Sequence, residues 1–133
     1  MKRKQSTFIH PVLRAQIRAK WVAESVNAQI HALFGDNKDK LLAYGSVLMF
    51  VAGACAAQQD MGEDNPKFRI IRGAINALDD LKDRPAITPV DRGSIYAGLL
   101  ASQALIEDTP IEVVDGAAGM YQLMEREFER VTA

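Results

Sequence analysis

The sequence predicts an all-α, single-domain bundle of about five helices packed around a buried, uncharged second helix. Residues 41–59 form a run of nineteen residues without a charged side chain. A capping residue stands directly before proline at Asn65-Pro66, Thr88-Pro89 and Thr109-Pro110, which is typical of helix starts. No segment alternates apolar and polar residues with β-branched enrichment, so we expect no sheet.

The uncharged run could either cross a membrane or fill the core of a bundle. A membrane span needs about 20 predominantly apolar residues. Here the apolar part, from Leu41 to Ala57, has 17 residues and is diluted by Gly45, Ser46 and Gly53. Every other predicted helix has a polar face and can pack around this one. We therefore expect a core helix in a protein that is soluble without detergent.

Apolar periodicity predicts the faces that the other helices turn to the core. The first helix, over about 11–34, carries the stripe Val22, Val26, Ile30 and Leu33, with Leu13, Ile17 and Trp21 beside it. The third, over 66–83, is expected to bury Ile71, Ala74, Ile75 and Leu78. A fourth helix is predicted over 89–107. The fifth, over 110–131, is expected to bury Val114, Ala117, Tyr121, Met124, Phe128 and Val131.

Local signals refine these helices. Thr88 with Asp91, and Thr109 with Glu112, have the spacing of capping boxes. Glycine inside a helix costs up to about 1 kcal/mol relative to alanine, so interior glycines indicate close helix crossings or, at Gly116 or Gly119, a break. The interior glycines are Gly45, Gly53, Gly73, Gly98, Gly116 and Gly119.

Length and composition predict a single domain and a location in the cytoplasm. We expect residues 1–9 to form a flexible basic N-terminal arm and residues 10–133 a single helical domain. Cys55 is the only cysteine, so no intramolecular disulfide can form, and no apolar signal segment follows the first five residues. Both observations favour the cytoplasm. Within the uncharged helix, Cys55 is expected to be an inert core thiol.

Charge is distributed unevenly along the chain. The first forty residues hold eight basic and three acidic side chains, a net charge of +5, whereas the remainder carries −6. This split is typical of a solvated surface, of a phosphate-bearing partner, or of two copies that pair basic region to acidic region. A homodimer of this kind would need an apolar centre, for which Trp21 or the face from Tyr121 to Phe128 is the candidate.

The segment from Asp79 to Asp83 reads DDxxD. It resembles the aspartate-rich motif of isoprenoid synthases, in which carboxylates on one helix face hold Mg²⁺ and a diphosphate. The resemblance covers five residues, and no second acidic motif stands on another helix. His10 and His31 are twenty-one residues apart, without further ligands at zinc-binding spacing. The sequence therefore predicts no cofactor.

These observations favour a non-enzymatic accessory or regulatory protein that acts through protein–protein binding, with self-association as a homodimer. Inhibitors of host machinery from phages or mobile elements are compatible with this class. A nucleic-acid-binding regulator that uses the basic arm and first helix is the alternative, and a metal-dependent phosphate-ester hydrolase that uses the aspartate cluster is third. The candidate binding residues are Lys2, Arg3, Lys4, Arg14, Arg18, Asp79, Asp80 and Asp83.

Overall fold

The computed structural model of the protein describes residues 9–132. Within this range it contains five helices and no strand, which confirms the predicted all-α bundle. The helices are α1 (Pro11–Phe34), α2 (Lys38–Gln58), α3 (Pro66–Leu81), α4 (Pro89–Glu107) and α5 (Ile111–Thr132). A single hydrophobic core draws buried side chains from all five.

The second helix is the centre of the bundle, as predicted, and α2 packs against each of the other four helices. By length and composition, α2 could also cross a membrane, but 44% of its most apolar 18-residue stretch is buried inside the bundle. Its buried hydrophobic side chains are Leu41, Leu48, Met49, Val51, Ala52, Cys55 and Ala56. The absence of charge from residue 41 to residue 59 is therefore explained by the helices around this stretch, whereas the first turn of α2 carries Lys38, Asp39 and Lys40.

Capping side chains fix the starts of α1 to α4; at α2, the side-chain oxygen of Asn37 accepts from the N–H of Lys40 at 3.0 Å. The Asn65 carbonyl oxygen accepts from the N–H of Lys67 at 2.9 Å, and the Thr88 hydroxyl accepts from Asp91 N–H at 3.2 Å. The α1 start uses an unpredicted group, since Nδ1 of His10 accepts from the N–H of residue 12 at 3.1 Å. Each contact satisfies a backbone donor that the first helical turn leaves without an intrahelical partner.

The predicted capping box at Thr109 is wrong. Helix α5 begins one residue later than predicted, and the buried Thr109 hydroxyl donates to the Leu105 carbonyl at 2.6 Å. The same hydroxyl accepts from the Gln59 side chain at 3.0 Å, which ties the end of α2 to the turn between α4 and α5. Glu112 pairs with Arg14 instead of returning to the cap. Tertiary contacts have replaced the local ones that the spacing predicted.

Helices α3 and α4 cross closely at one of the predicted glycines. A Cβ on Gly98 would lie only 2.1 Å from the Cβ of Ala74. Gly45 also faces another helix, with the Leu78 side chain 3.4 Å from its ideal Cβ. The prediction of a close crossing is wrong for four glycines whose ideal Cβ would meet nothing within 4 Å: Gly53, Gly73, Gly116 and Gly119. Helix α5 also continues through Gly116 and Gly119 without a break.

The predicted core face of α3 is correct for Ile71, Ala74 and Leu78 and wrong for Ile75, which is 43% exposed. Ala74 makes the close approach to Gly98, and the next residue, Ile75, is turned about 100° around the helix away from that crossing. Ile75 instead lines an open groove between α2 and α3.

A candidate protein-binding surface

The two α1 arginines that were predicted to meet a partner, Arg14 and Arg18, are engaged within the chain. Arg18 donates to the carbonyls of Ile106 at 2.9 Å and Thr109 at 2.7 Å, so its guanidinium neutralises the C-terminal end of α4. Arg14 pairs with Glu112, and the hydrogen bond from this arginine holds the pKa of the Glu112 carboxyl below its usual range. Both arginines therefore join α1 to the α4–α5 region. Lys2, Arg3 and Lys4 lie outside the described residues.

The structure places the predicted aspartate cluster at the exposed end of α3. Asp79 and Asp80 lie in its last turn, whereas Asp83 follows the helix. The Asp79 carboxylate accepts from the Lys82 ammonium at 3.2 Å. Among the described residues, no three His, Cys, Asp or Glu side chains come close enough together to hold a metal ion. What the geometry does show is a local ion pair at the C-terminal end of a helix, where a cation is favourable.

Open grooves lie between the helices; one of about 410 Å³ lies between α2 and α5, and two others contain residues predicted to bind a partner. The groove between α2 and α3 has a volume of about 370 Å³, an apolar floor that includes Met49 and Phe50, and the Asp79–Lys82 pair at its rim. The second groove, of about 290 Å³, lies between α1, α2 and α5. Aromatic and acidic side chains line the second groove, among them Trp21, Tyr44, Tyr121, Glu24 and Glu125. Burial raises the pKa of the Tyr121 phenol, and the Glu125 carboxylate beside it raises that pKa further.

Cys55 is fully buried in α2, and burial raises the pKa of its thiol to about 11. The neutral thiol is therefore the stable form in the fold. Its contribution to stability is complete below the ordinary pKa of 9.0 and is lost as the pH rises through about 11. These properties describe a core side chain and not a nucleophile.

We expect a thiol-specific reagent at about pH 8 to modify Cys55 at least ~100-fold more slowly in the native protein than in denaturant. Both the raised pKa and the burial slow the reaction. Stopped-flow absorbance measures the two rates. Ala57→Cys is the control, because it adds a thiol at an exposed position of the same helix. This added thiol should react rapidly. Fast native modification of the unsubstituted chain would contradict the buried position of Cys55.

The apolar stripe predicted to face the core from α1 is exposed. Val22, Val26, Ile30 and Leu33 are between 42% and 51% exposed. The core instead receives a narrower face: Trp21, Ser25, Ala28 and Ala32. These side chains, apart from Trp21, are small, and the Ser25 hydroxyl is satisfied by donating to the Trp21 carbonyl at 2.8 Å. Helix α1 thus has two apolar faces, and periodicity alone selected the wrong one.

The exposed stripe extends over almost the whole of α1. All of its members are exposed and none carries a charge. We call this set the α1 face: Val12, Ala15, Ala19, Val22, Val26, Ile30 and Leu33. Successive members are three or four residues apart, which is the pattern of a helix that packs along a second helix. At 1.5 Å per residue the α1 face is about 30 Å long.

The predicted core face of α5 is correct only near its start. Val114 and Ala117 are buried and Tyr121 is half-buried, whereas Met124 is 54% exposed and Val131 is 69% exposed. Phe128 is also exposed, at 69%. Every side chain from Gln122 to Val131 is exposed, so the second half of α5 extends past the helices that cover its first half. Periodicity identifies the apolar face of α5 but contains no information on where the helices that pack against this face end.

The prediction that Trp21 forms the apolar centre of a dimer interface is wrong. Trp21 is only 6% exposed, and its ring packs into the core with the Lys20 ammonium 5.3 Å from the ring centroid.

No family model, curated protein or solved structure matches the chain.

Proposed function

We propose that this protein is a non-enzymatic accessory or regulatory protein that acts by binding another polypeptide along α1. The observation that carries the proposal is the α1 face, a continuous uncharged strip on the surface of the bundle. Apolar patches of a few hundred Å² on the surface of a protein are often functional sites. Depletion of charge is also the compositional mark of the centre of a protein interface.

The spacing within the α1 face indicates the shape of the partner. Apolar residues at intervals of three and four form a seam into which side chains of another helix can insert. The partner is therefore expected to present an amphipathic helix with a matching apolar stripe. The exposed half of α5, with apolar Leu123 and Met124 beside acidic Glu125 and Glu127, supports the same class of function because it is a second amphipathic helix surface.

Affinity capture from the source cell with matched baits tests this function. We expect Val26→Glu to abolish retention of the bound polypeptide, because it places a charge at the centre of the α1 face. Val90→Glu is the control, since Val90 is 79% exposed at the start of α4, outside the α1 face. Quantitative mass spectrometry compares the three baits. Equal retention by Val26→Glu and the unsubstituted bait would overturn the assignment of the α1 face.

A further inference from the structure

We infer that the helix that covers the α1 face is α1 of a second copy of this chain, in antiparallel orientation about a two-fold axis. The inference rests on the proposed function of the α1 face and specifies its occupant. It depends on two properties of the face: the absence of charge and the distribution of side-chain size along the helix.

The absence of charge makes the α1 face compatible with itself. Across a two-fold axis the same patch meets its own copy, so a patch of one charge sign would repel itself. From Val12 to Leu33 the α1 face contains only alanine, valine, isoleucine and leucine. The nearby charged groups of α1 are turned elsewhere, since Arg14 and Arg18 bind α5 and the α4–α5 turn. Two copies of the face can therefore meet without burying an ionised group.

Side-chain size along the α1 face selects the orientation. The N-terminal half contains the small residues Ala15 and Ala19, whereas the C-terminal half contains the larger Val26, Ile30 and Leu33. With the axis between positions 22 and 23, an antiparallel pair places Ala15 opposite Ile30 and Ala19 opposite Val26. In these two layers large side chains meet small ones, as close packing requires, whereas Val12 and Leu33 lie opposite each other at the ends of the face. A parallel pair would instead place alanine on alanine at one end and crowd large residues at the other.

The size of the α1 face indicates a reversible dimer. A strip about 30 Å long and one helix wide, about 10 Å, offers roughly 300 Å² per copy. Stable interfaces bury about 800 Å² per partner. We therefore expect a weak dimer that dissociates on dilution, with flanking side chains adding to the buried area.

Sedimentation equilibrium across the micromolar range tests the dimer. We expect the unsubstituted chain to shift with concentration from 14.6 kDa to twice this mass. Val26→Glu should weaken association by about 100-fold or more, because each copy would bury an unpaired carboxylate against Ala19 of the other. Val90→Glu should leave association unchanged. Since position 26 is already exposed, circular dichroism should show that the variant remains folded.

Cysteine cross-linking under a mild oxidant tests the orientation. Val22→Cys should link to its own copy, because it lies beside the axis. Ala15→Cys alone and Ile30→Cys alone should remain unlinked, whereas a mixture of the two should form a linked heterodimer. The unsubstituted chain is the control, since its Cys55 is fully buried. Self-linking of Ala15→Cys would overturn the antiparallel arrangement.

A concentration-independent monomer would overturn the dimer altogether. In that case, a foreign polypeptide captured by the unsubstituted bait and lost with Val26→Glu would leave the proposed function standing. The failure of this inference and the failure of the proposed function are therefore distinguishable.

Discussion

Leu48→Asp is expected to unfold the domain. Leu48 is 1% exposed in α2, the helix that packs against all four others. An aspartate at this position would place an unpaired carboxylate in the core and remove apolar packing at the same time. Each effect alone costs several kcal/mol. Their combined cost approaches the 5–15 kcal/mol that stabilises a typical domain.

Urea denaturation followed by circular dichroism measures this loss. Ser46→Asp is the matched control because it introduces the same carboxylate into the same helix at an exposed position. We expect the control to change the free energy of unfolding by no more than about 0.5 kcal/mol. A Leu48→Asp protein with an unchanged melting temperature would show that position 48 does not face the core.

The fold was predictable because its strongest signals are local. Proline directly after a capping residue places the starts of α3 and α4 at Pro66 and Pro89, and backbone N–H groups do bond to Asn65 and Thr88. The uncharged run predicts the central helix because only a helix surrounded by others can lack a polar face in water. The Thr109 prediction failed where a tertiary partner, the Gln59 side chain, competed with the local cap.

The candidate surface was not predictable by the same reasoning. Periodicity reports that apolar residues share a face of α1, but it contains no information on which face another helix covers. The core side of α1 is made mostly of small residues such as Ala28 and Ala32, which allow close approach of neighbouring helices. The larger Val26 and Ile30 give the stronger hydrophobic signal, which predicts the wrong face for the core. The exposed apolar face of α1 could be identified only from the structure, which shows the side of α1 that the other helices cover.

Gly98→Ala is expected to destabilise the protein even though alanine is the better helix former. The new methyl group would lie 2.1 Å from the Cβ of Ala74 and 3.3 Å from the Cε of Met49. Ala74 has no flexible side chain that could move aside, so α3 and α4 must separate. Overpacking of this kind costs about 1–3 kcal/mol, which exceeds the gain of up to about 1 kcal/mol in helix propensity.

Gly73→Ala is the matched control, because its new methyl group meets nothing within 4 Å on the exposed side of α3. We expect this variant to gain about 0.5–1 kcal/mol in the free energy of unfolding. The opposite signs of the two substitutions separate the helix crossing from helix propensity. Chemical denaturation of both variants measures the difference. Stabilisation by Gly98→Ala as well would show that the helices do not cross closely at this point.

A double-mutant cycle locates the contact that makes Gly98 necessary. Ala74→Gly alone should destabilise, because it removes a packed methyl group and places glycine inside α3. Combined with Gly98→Ala, it transfers that methyl group from one helix to the other and leaves a single methyl at the crossing. We therefore expect the double variant to be more stable than the sum of the single effects by about 1–3 kcal/mol. Additive effects would contradict direct contact between positions 74 and 98, whereas strong coupling would show that the crossing depends on one small residue facing another.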